Sequence, residues 1–432
     1  SYNYSCLNVH RRDNWLVTAM GFSRYLWSTE IYVGANLYGR YLNHGNLQIM
    51  GSGTPISNYG SGYNQQGWDW NHFPGTTAAV IPLKDLRAKV KNLDAESGYE
   101  EMLLSDETYA GSLSFQNKQG VFAMKLHENP KYNGSLRARK SYFFFDNRVV
   151  ALGSGICSEL PGKSVNTTLF QVYLPETDAA IQVNGKDITA FPYTAKLKKG
   201  KKNLSDGLNN YFFVKQGNVQ ITKSLQNSFD EETDEPTQNN FALAAIDHGV
   251  EPRNASYEYM VLVQPTPGQA KQTSKTFGSA KKQPYTVLKQ DSLAHIVFDK
   301  ATNTTGYALF EAGKLNVNTD LLSVSVPCMI MTSKLQPNKL AISICDPDLR
   351  FYEGNADVKY DSEGKTIERS IQSMLWINNA SAVSEMEVQL KGSWKIAGKS
   401  DYIQIKKVES NITTLSVKCQ HAFSREATLE KL

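Results

Sequence analysis

After Ile81, apolar and polar positions alternate with a period of two. GVFAMKL at 120–126, SYFFFD at 141–146, RVVALGSGI at 148–156 and TLFQVYL at 168–174 read as strands, as do YMVLVQP at 259–265 and AHIVFD at 294–299. Branched and aromatic side chains at alternate positions suit a pleated surface. Asn184-Gly185, between AAIQV and KDITA, predicts a hairpin, because both turn positions need positive φ. No amphipathic helix of ordinary length is expected between 110 and 330. After a break near 312–327, short alternating strands continue through LAISICD, EMEVQL, YIQIKKV and TTLSVKC. This last stretch predicts a small β-sandwich.

The first 83 residues differ in character. Trp15 to Arg40 has weak helical periodicity, carried by Leu16, Met20, Tyr25 and Trp27 and broken by Gly34, Gly39 and Gly45. The segment has no lysine, four of the six tryptophans, eight tyrosines and nine asparagines. Aromatic faces stack on sugar rings, and amides and guanidinium groups bond hydroxyls and carboxylates. The composition fits a carbohydrate-binding face or the edge of an aromatic core.

Charge narrows the classes. Lysine and arginine number 46 against 42 acidic residues, a net of +4. So small an excess argues against a nucleic-acid binder but allows a local basic groove. KLKKGKKN at 196–203 and DEETDEP at 230–236 read as solvated loops. No apolar run approaches the ~18 residues of a membrane span. Five widely spaced cysteines without a CxxC pair make a zinc site or a disulfide framework unexpected. They read as buried small hydrophobes, with a Cys328–Cys345 bridge left open. The chain opens at Ser1, without Met or a signal-peptide pattern, and reads as a mature product or a fragment.

Several separated stretches resemble polysaccharide lyase family 8, and within it the chondroitin sulfate ABC lyases. They are GFSRYLWSTEIYVGANLYGRYLNHGNLQI at 21–49, WDWNHFPGTT at 68–77 and LSDETYAG at 104–111, the last followed by GVFAMKLHE. KSYFFFDNRVVALGSGI at 140–156 and IDHGVEPRNASYEYMVLV at 246–263 complete the set. The resemblance implies a mainly β chain: the end of an α/α toroid (1–80), a large antiparallel β-sandwich or supersandwich (81–318) and a smaller C-terminal β-sandwich (319–432). It implies β-elimination at a uronic acid of chondroitin or dermatan sulfate, leaving a 4,5-unsaturated uronate, with no cofactor. Partners would be the sulfated glycosaminoglycan and an upstream helical catalytic domain, in a secreted or periplasmic bacterial protein. The family's histidine and tyrosine would lie in that upstream part, since none of the seven histidines here has the expected helical context.

By the same resemblance Arg24 is the cation beside the tyrosine, and Glu107 is the carboxylate that orients both, with Asp106 and Glu101 as competitors. A free phenol titrates near ~10, so a base of this kind needs a neighbouring positive charge. Arg40, Asn43, Trp70 and Asn71 are candidates for substrate binding or wall support, and His44 is a candidate sulfate contact or a solvated loop residue. Ser28 stands where glucuronate-specific relatives carry a second arginine. The aspartate cluster that binds calcium in some relatives has no counterpart in HENPKYNGSLRARKSYFFFD, so no metal is expected there. His127-Glu128 is not a metal pair, on the reading that strand neighbours face opposite sides. The alternatives are a non-catalytic glycosaminoglycan-binding or packing fragment, and a hyaluronate lyase of the same family.

Overall fold

The computed structural model describes residues 1–32, 34–90, 100–200, 202–279, 281–351 and 380–432. Its centre is a nine-stranded antiparallel sheet whose inner strands are Asn210–Gln216, Ala255–Val263, Arg148–Cys157, Arg137–Phe145 and Gln119–His127. Both faces of this sheet are covered, which is why its strands are apolar nearly throughout. Phe122, Tyr142, Phe144 and Ala151 point to one side, into a core shared with Val165, Ile221 and Ala244 of a five-stranded sheet. Val121, Phe143, Phe145 and Val150 point to the other, against Val297, Met329 and Met331 of a seven-stranded sheet. The far face of that sheet packs through Tyr307, Ile330 and Ile342 on Val324, Val388 and Leu415 of a second five-stranded sheet. Four sheets therefore stack in series, mainly β as expected. A one-residue register slip in the central sheet would exchange two cores at once.

The hairpin at Asn184-Gly185 forms, with φ of 52° and 78° at the turn and Ile181–Val183 paired to Lys186–Ile188. Three expectations are corrected. Trp15–Met20 is a strand, paired with Leu7–Arg12 and Asn46–Met50, and not a helix. Leu16 and Met20 are four apart, a spacing that fits period two as well as 3.6. The burial of Trp15, Val17 and Ala19 shows that two is the operative period. Among the described residues of 1–80 the only helices are short 3-10 turns, so no toroid helix is present there. The break near 318 falls earlier. Tyr285–Gln290, Ala294–Asp299 and Thr304–Leu309 already belong to the seven-stranded sheet, and the Asn-rich stretch after them only crosses between sheets. Pro267–Thr276 is a helix, capped reciprocally by Thr266 and Gln269. Its polar surface, with only Ala270 buried, hid it from a periodicity reading.

The cysteines are all free. Cys328 and Cys345 sit one register step apart on paired strands, Met329 being opposite Cys345, and so enter different cores. The acidic run at 230–236 is more than a solvated loop: Asp234 takes the Arg87 Nε at 2.6 Å and the Tyr38 hydroxyl. Lys201 of the basic run lies outside the described residues.

One buried cation ties the N-terminal segment to the central sheet. Lys140 is fully buried, and its Nζ donates to the carbonyls of His44 (2.8 Å) and Gly75 (2.6 Å) and to Thr77 Oγ1 (3.0 Å). Tyr142, two residues on, donates to the carbonyls of Gly45 and Gly75. A Cβ at Gly45 would come within 2.6 Å of Lys140 Cε, so the chain passes this point only as glycine. Lys140→Met keeps the volume but removes three buried hydrogen bonds, and is expected to cost about 2–4 kcal/mol in urea unfolding. A loss below about 0.5 kcal/mol would show that the contacts are not made.

Burial also holds four histidines neutral. It pushes His10 and His248 down to about 4 and His44 and His295 to about 3, from 6.5. Below pH 6.5 the unfolded chain takes up protons that the folded chain refuses. Stability is therefore full above pH 6.5 and lost as pH falls towards 4, by about 2 kcal/mol per histidine at pH 5. Urea titrations at pH 7 and pH 5 measure this, and equal stabilities would contradict neutral burial.

Candidate active site

The segments carrying Arg24 and Glu107 are laced by their main chains. Arg24 N–H donates to the Glu107 carbonyl at 2.8 Å, Ser28 N–H to Leu103 at 2.8 Å and Ser105 N–H to Ser23 at 3.2 Å. The strands Glu30–Tyr32 and Glu100–Met102 extend the same pairing. A carboxylate from the far end of the chain holds both segments from behind. Asp348 accepts the Tyr25 hydroxyl at 3.0 Å on one oxygen and the Thr108 hydroxyl at 2.9 Å on the other. The neighbours of Arg24 and Glu107 thus share one clamp.

Arg24, half-buried, borders a cleft of about 600 Å³ with Asp106, His127, Glu128 and Arg137. Glu107 lies beside this cleft, its carboxylate 4.0 Å from Lys125 Nζ, which also reaches Glu311 at 3.0 Å. Asp106 bonds His127 Nδ1, and Arg137 Nε donates to His127 Nε2 at 3.0 Å. A donor at Nε2 requires a neutral imidazole with its proton on Nδ1, aimed at Asp106. Burial raises Glu128 above its ordinary 4.5, against the opposing pull of the Leu136 and Ser135 N–H groups that its carboxylate accepts. The cleft therefore has mixed charge, with two of its carboxylates already engaged.

The other expected residues stand elsewhere. Arg40 is buried, donates to the Asp85 and Leu86 carbonyls at 3.0 and 2.9 Å, and lies 3.8 Å over the Tyr132 ring. Asn43 donates to the Ser28 carbonyl, and Trp70 Nε1 to the Phe229 carbonyl at 2.9 Å. Asn71 closes a two-way bond with Ile81 at 3.0 and 3.1 Å. In these four, side-chain polar groups bond the scaffold from buried positions, as wall support would, while Arg40 Nε meets no hydrogen-bond partner among the described residues. Asn43 and Trp70 do border a second cleft of about 430 Å³, with Tyr63, Trp68 and Asn58, where the aromatic and amide residues of the first 83 positions gather. His44 is buried against Phe22 at 5.3 Å and is not a solvated loop residue. Buried Ser28 donates to the Arg40 carbonyl, and Glu101 is in the wall, taken by Lys131 and the Tyr132 hydroxyl.

The Asp106–His127–Arg137 chain was not foreseen. Glu128 follows the last residue of the strand Gln119–His127, so strand alternation no longer separates it from His127, and both border the cleft. The cross-strand pairing of His127 with Arg137 depends on register, which the sequence does not display. Among the described residues no group of three or more His, Cys, Asp or Glu is arranged to hold a metal ion.

Comparison with known proteins identifies the family. The family model for the polysaccharide lyase family 8 super-sandwich domain matches residues 2–277, and that for the family's C-terminal beta-sandwich domain matches 286–349. The chain belongs to polysaccharide lyase family 8. The first match begins before the strands of 7–50, so these are part of the family 8 super-sandwich. A chondroitin sulfate ABC exolyase of Bacteroides thetaiotaomicron is 40% identical over 100% of this chain and 41% of its own length. One from Proteus vulgaris is 38% identical over 94% of this chain and 40% of its own length. The chain thus spans about two fifths of these relatives. A Paenibacillus xanthan lyase structure superposes with a TM-score of 0.75 at 18% identity, covering 99% of this chain and 37% of that one. That likeness concerns the fold.

If Asp348 clamps the seam, Asp348→Ala should speed amide exchange of Arg24 and Ser105 at least tenfold. Central-sheet amides such as Phe143 should keep their rates. Unchanged exchange at Arg24 would remove Asp348 from this role.

Proposed function

We propose that this chain is the β-sheet portion of a lyase that cleaves chondroitin or dermatan sulfate by β-elimination. The observation that carries the reading is the seam: Arg24 and Glu107, the two positions matching family site residues, are joined by a 2.8 Å main-chain bond beside an open cleft. The named relatives act on chondroitin sulfate according to their names, and the whole-chain likeness to them supports the same substrate class.

In this reading a base removes the C5 proton of the uronate, the C4–O bond to the next sugar breaks, and a C4=C5 double bond remains. The difficult step places negative charge beside an existing carboxylate, so it needs fixed donors in a water-poor site. A histidine and a tyrosine of an upstream helical domain supply the proton chemistry. Arg24 lowers the phenol's pKa through its fixed charge and bonds the bridging oxygen. Glu107 positions Arg24 and the phenol. The polymer's extracellular occurrence makes the protein secreted or periplasmic.

In the full-length protein, Arg24→Ala and Glu107→Gln should each lower the rate of formation of an ultraviolet-absorbing unsaturated uronate by about 10²-fold or more. Full activity in both variants would reject the site. An intact protein that releases saturated ends from chondroitin sulfate would reject the reaction class.

A further inference from the structure

A cleft of about 710 Å³ lies far along the chain from the Arg24 seam, at one end of the C-terminal sandwich. It opens where the two sheets part, and strand ends and turns from both sheets line it. Asn303 and Pro337 come from turns of the seven-stranded sheet, Asn411 and Lys391 from a turn and a strand end of the five-stranded one. Loop clusters at sandwich ends are common recognition sites, and this volume is within the ~300–1,000 Å³ of small-ligand pockets.

Three properties of the lining point to one ligand chemistry. The first is charge. Lysines 334, 391 and 431 face a single acid, Asp320. Asp320 is already paired with Lys334 at 3.0 Å. Exposed Lys391 and Lys431 have no ion-pair partner among the described residues, and Lys431 Nζ stands 5.9 Å from the Trp394 ring. The second property is a fixed apolar floor of Leu288, Phe298 and Trp394. Trp394 is locked in place: its indole N–H donates to the Lys391 carbonyl at 2.8 Å, and its main-chain N–H to Thr413 Oγ1 at 2.9 Å. Gly392, at φ 107°, lets the chain cross the indole, since a Cβ there would meet Nε1 at 2.7 Å. The third is a set of neutral polar groups: the amides of Asn318 and Asn411 and the hydroxyl of Thr305, beside Asn303 and Thr319, which donate to the Lys334 and Leu321 carbonyls at 3.1 and 2.9 Å. Two unpaired ammonium groups, a rigid apolar floor and a ring of amides and hydroxyls match an anionic polysaccharide: charge for carboxylate or sulfate, the floor for the C–H face of a ring, amides for hydroxyls.

We propose that this cleft is a non-catalytic binding site for an anionic polysaccharide segment, separate from the Arg24 cleft. It would hold a stretch of polymer on the C-terminal sandwich. The inference rests on the lining of this cleft and not on the assignment of Arg24 and Glu107.

Calorimetric titration of the 432-residue chain with a chondroitin sulfate hexasaccharide at low salt tests it. Lys391→Ala/Lys431→Ala, at two exposed positions, should weaken binding at least tenfold with an unchanged thermal midpoint. Lys186→Ala, at an exposed position of the Asn184-Gly185 hairpin, should alter it less than twofold, and an uncharged dextran oligomer should not bind. The Trp394 indole N–H resonance should move on titration in the unsubstituted chain. Binding that survives the double substitution, or an unmoved Trp394 signal, overturns the site. Loss of all binding in Arg24→Ala, with the double variant unaffected, also overturns it while leaving the lyase reading intact. Equal affinity for a single-stranded oligonucleotide of matched charge would overturn the polysaccharide assignment.

Discussion

Two oxygens of one carboxylate, Asp348, hold the Tyr25 and Thr108 hydroxyls, and the candidate site depends on that bridge. Tyr25 follows Arg24, and Thr108 follows Glu107. Without a common anchor, the two segments would lean on main-chain bonds at the end of a short ladder, where fraying is cheap. Asp348 is itself placed by its neighbours: it accepts the Arg350 N–H at 2.8 Å, and Asp346, close by, pairs with the Arg350 guanidinium. The C-terminal sandwich thereby acts on a cleft formed by residues more than two hundred positions earlier.

That action needs a rigid intermediary, and the nine-stranded sheet provides one. Each inner strand sends alternate side chains into two separate cores, so neither face can shift without disturbing the other. Arg148, on the central sheet, makes a bidentate pair with fully buried Asp299 of the seven-stranded sheet at 3.1 and 3.0 Å, which fixes the two layers in register. On the opposite face Lys140 replaces what would otherwise be an apolar side chain and fastens the loops at 44–45 and 75–77. Desolvation drives its pKa well below 10.5, and three oxygen acceptors around Nζ offset that cost.

Residues near the site divide by what their polar atoms touch. Arg40, Asn43, Trp70 and Asn71 bond main-chain carbonyls, whereas Arg24 and His127 border the cleft beside the seam. Amide- and aromatic-rich composition cannot separate these roles, because the same groups that recognise sugars also satisfy buried loop backbone. The described cleft alone has mixed charge, and the proposed reaction draws its proton chemistry from the upstream domain.

The sequence by itself determined the β-rich character, the central strands, the Asn184-Gly185 hairpin and the family likeness, because alternation, turn chemistry and separated motifs are local. Arg24 and Glu107 are proposed from motifs of the same local kind. Where a spacing of four served two periods, as at Leu16 and Met20, local pattern could not choose, and pairing with Asn46–Met50 decided for a strand. Only the tertiary structure decided that Lys140 is a buried pin, that His44 is neutral core, that Asp348 reaches Tyr25 and Thr108, and that three lysines gather at one sandwich end. Each of these depends on register and layer order, which bring together residues that no window along the chain contains.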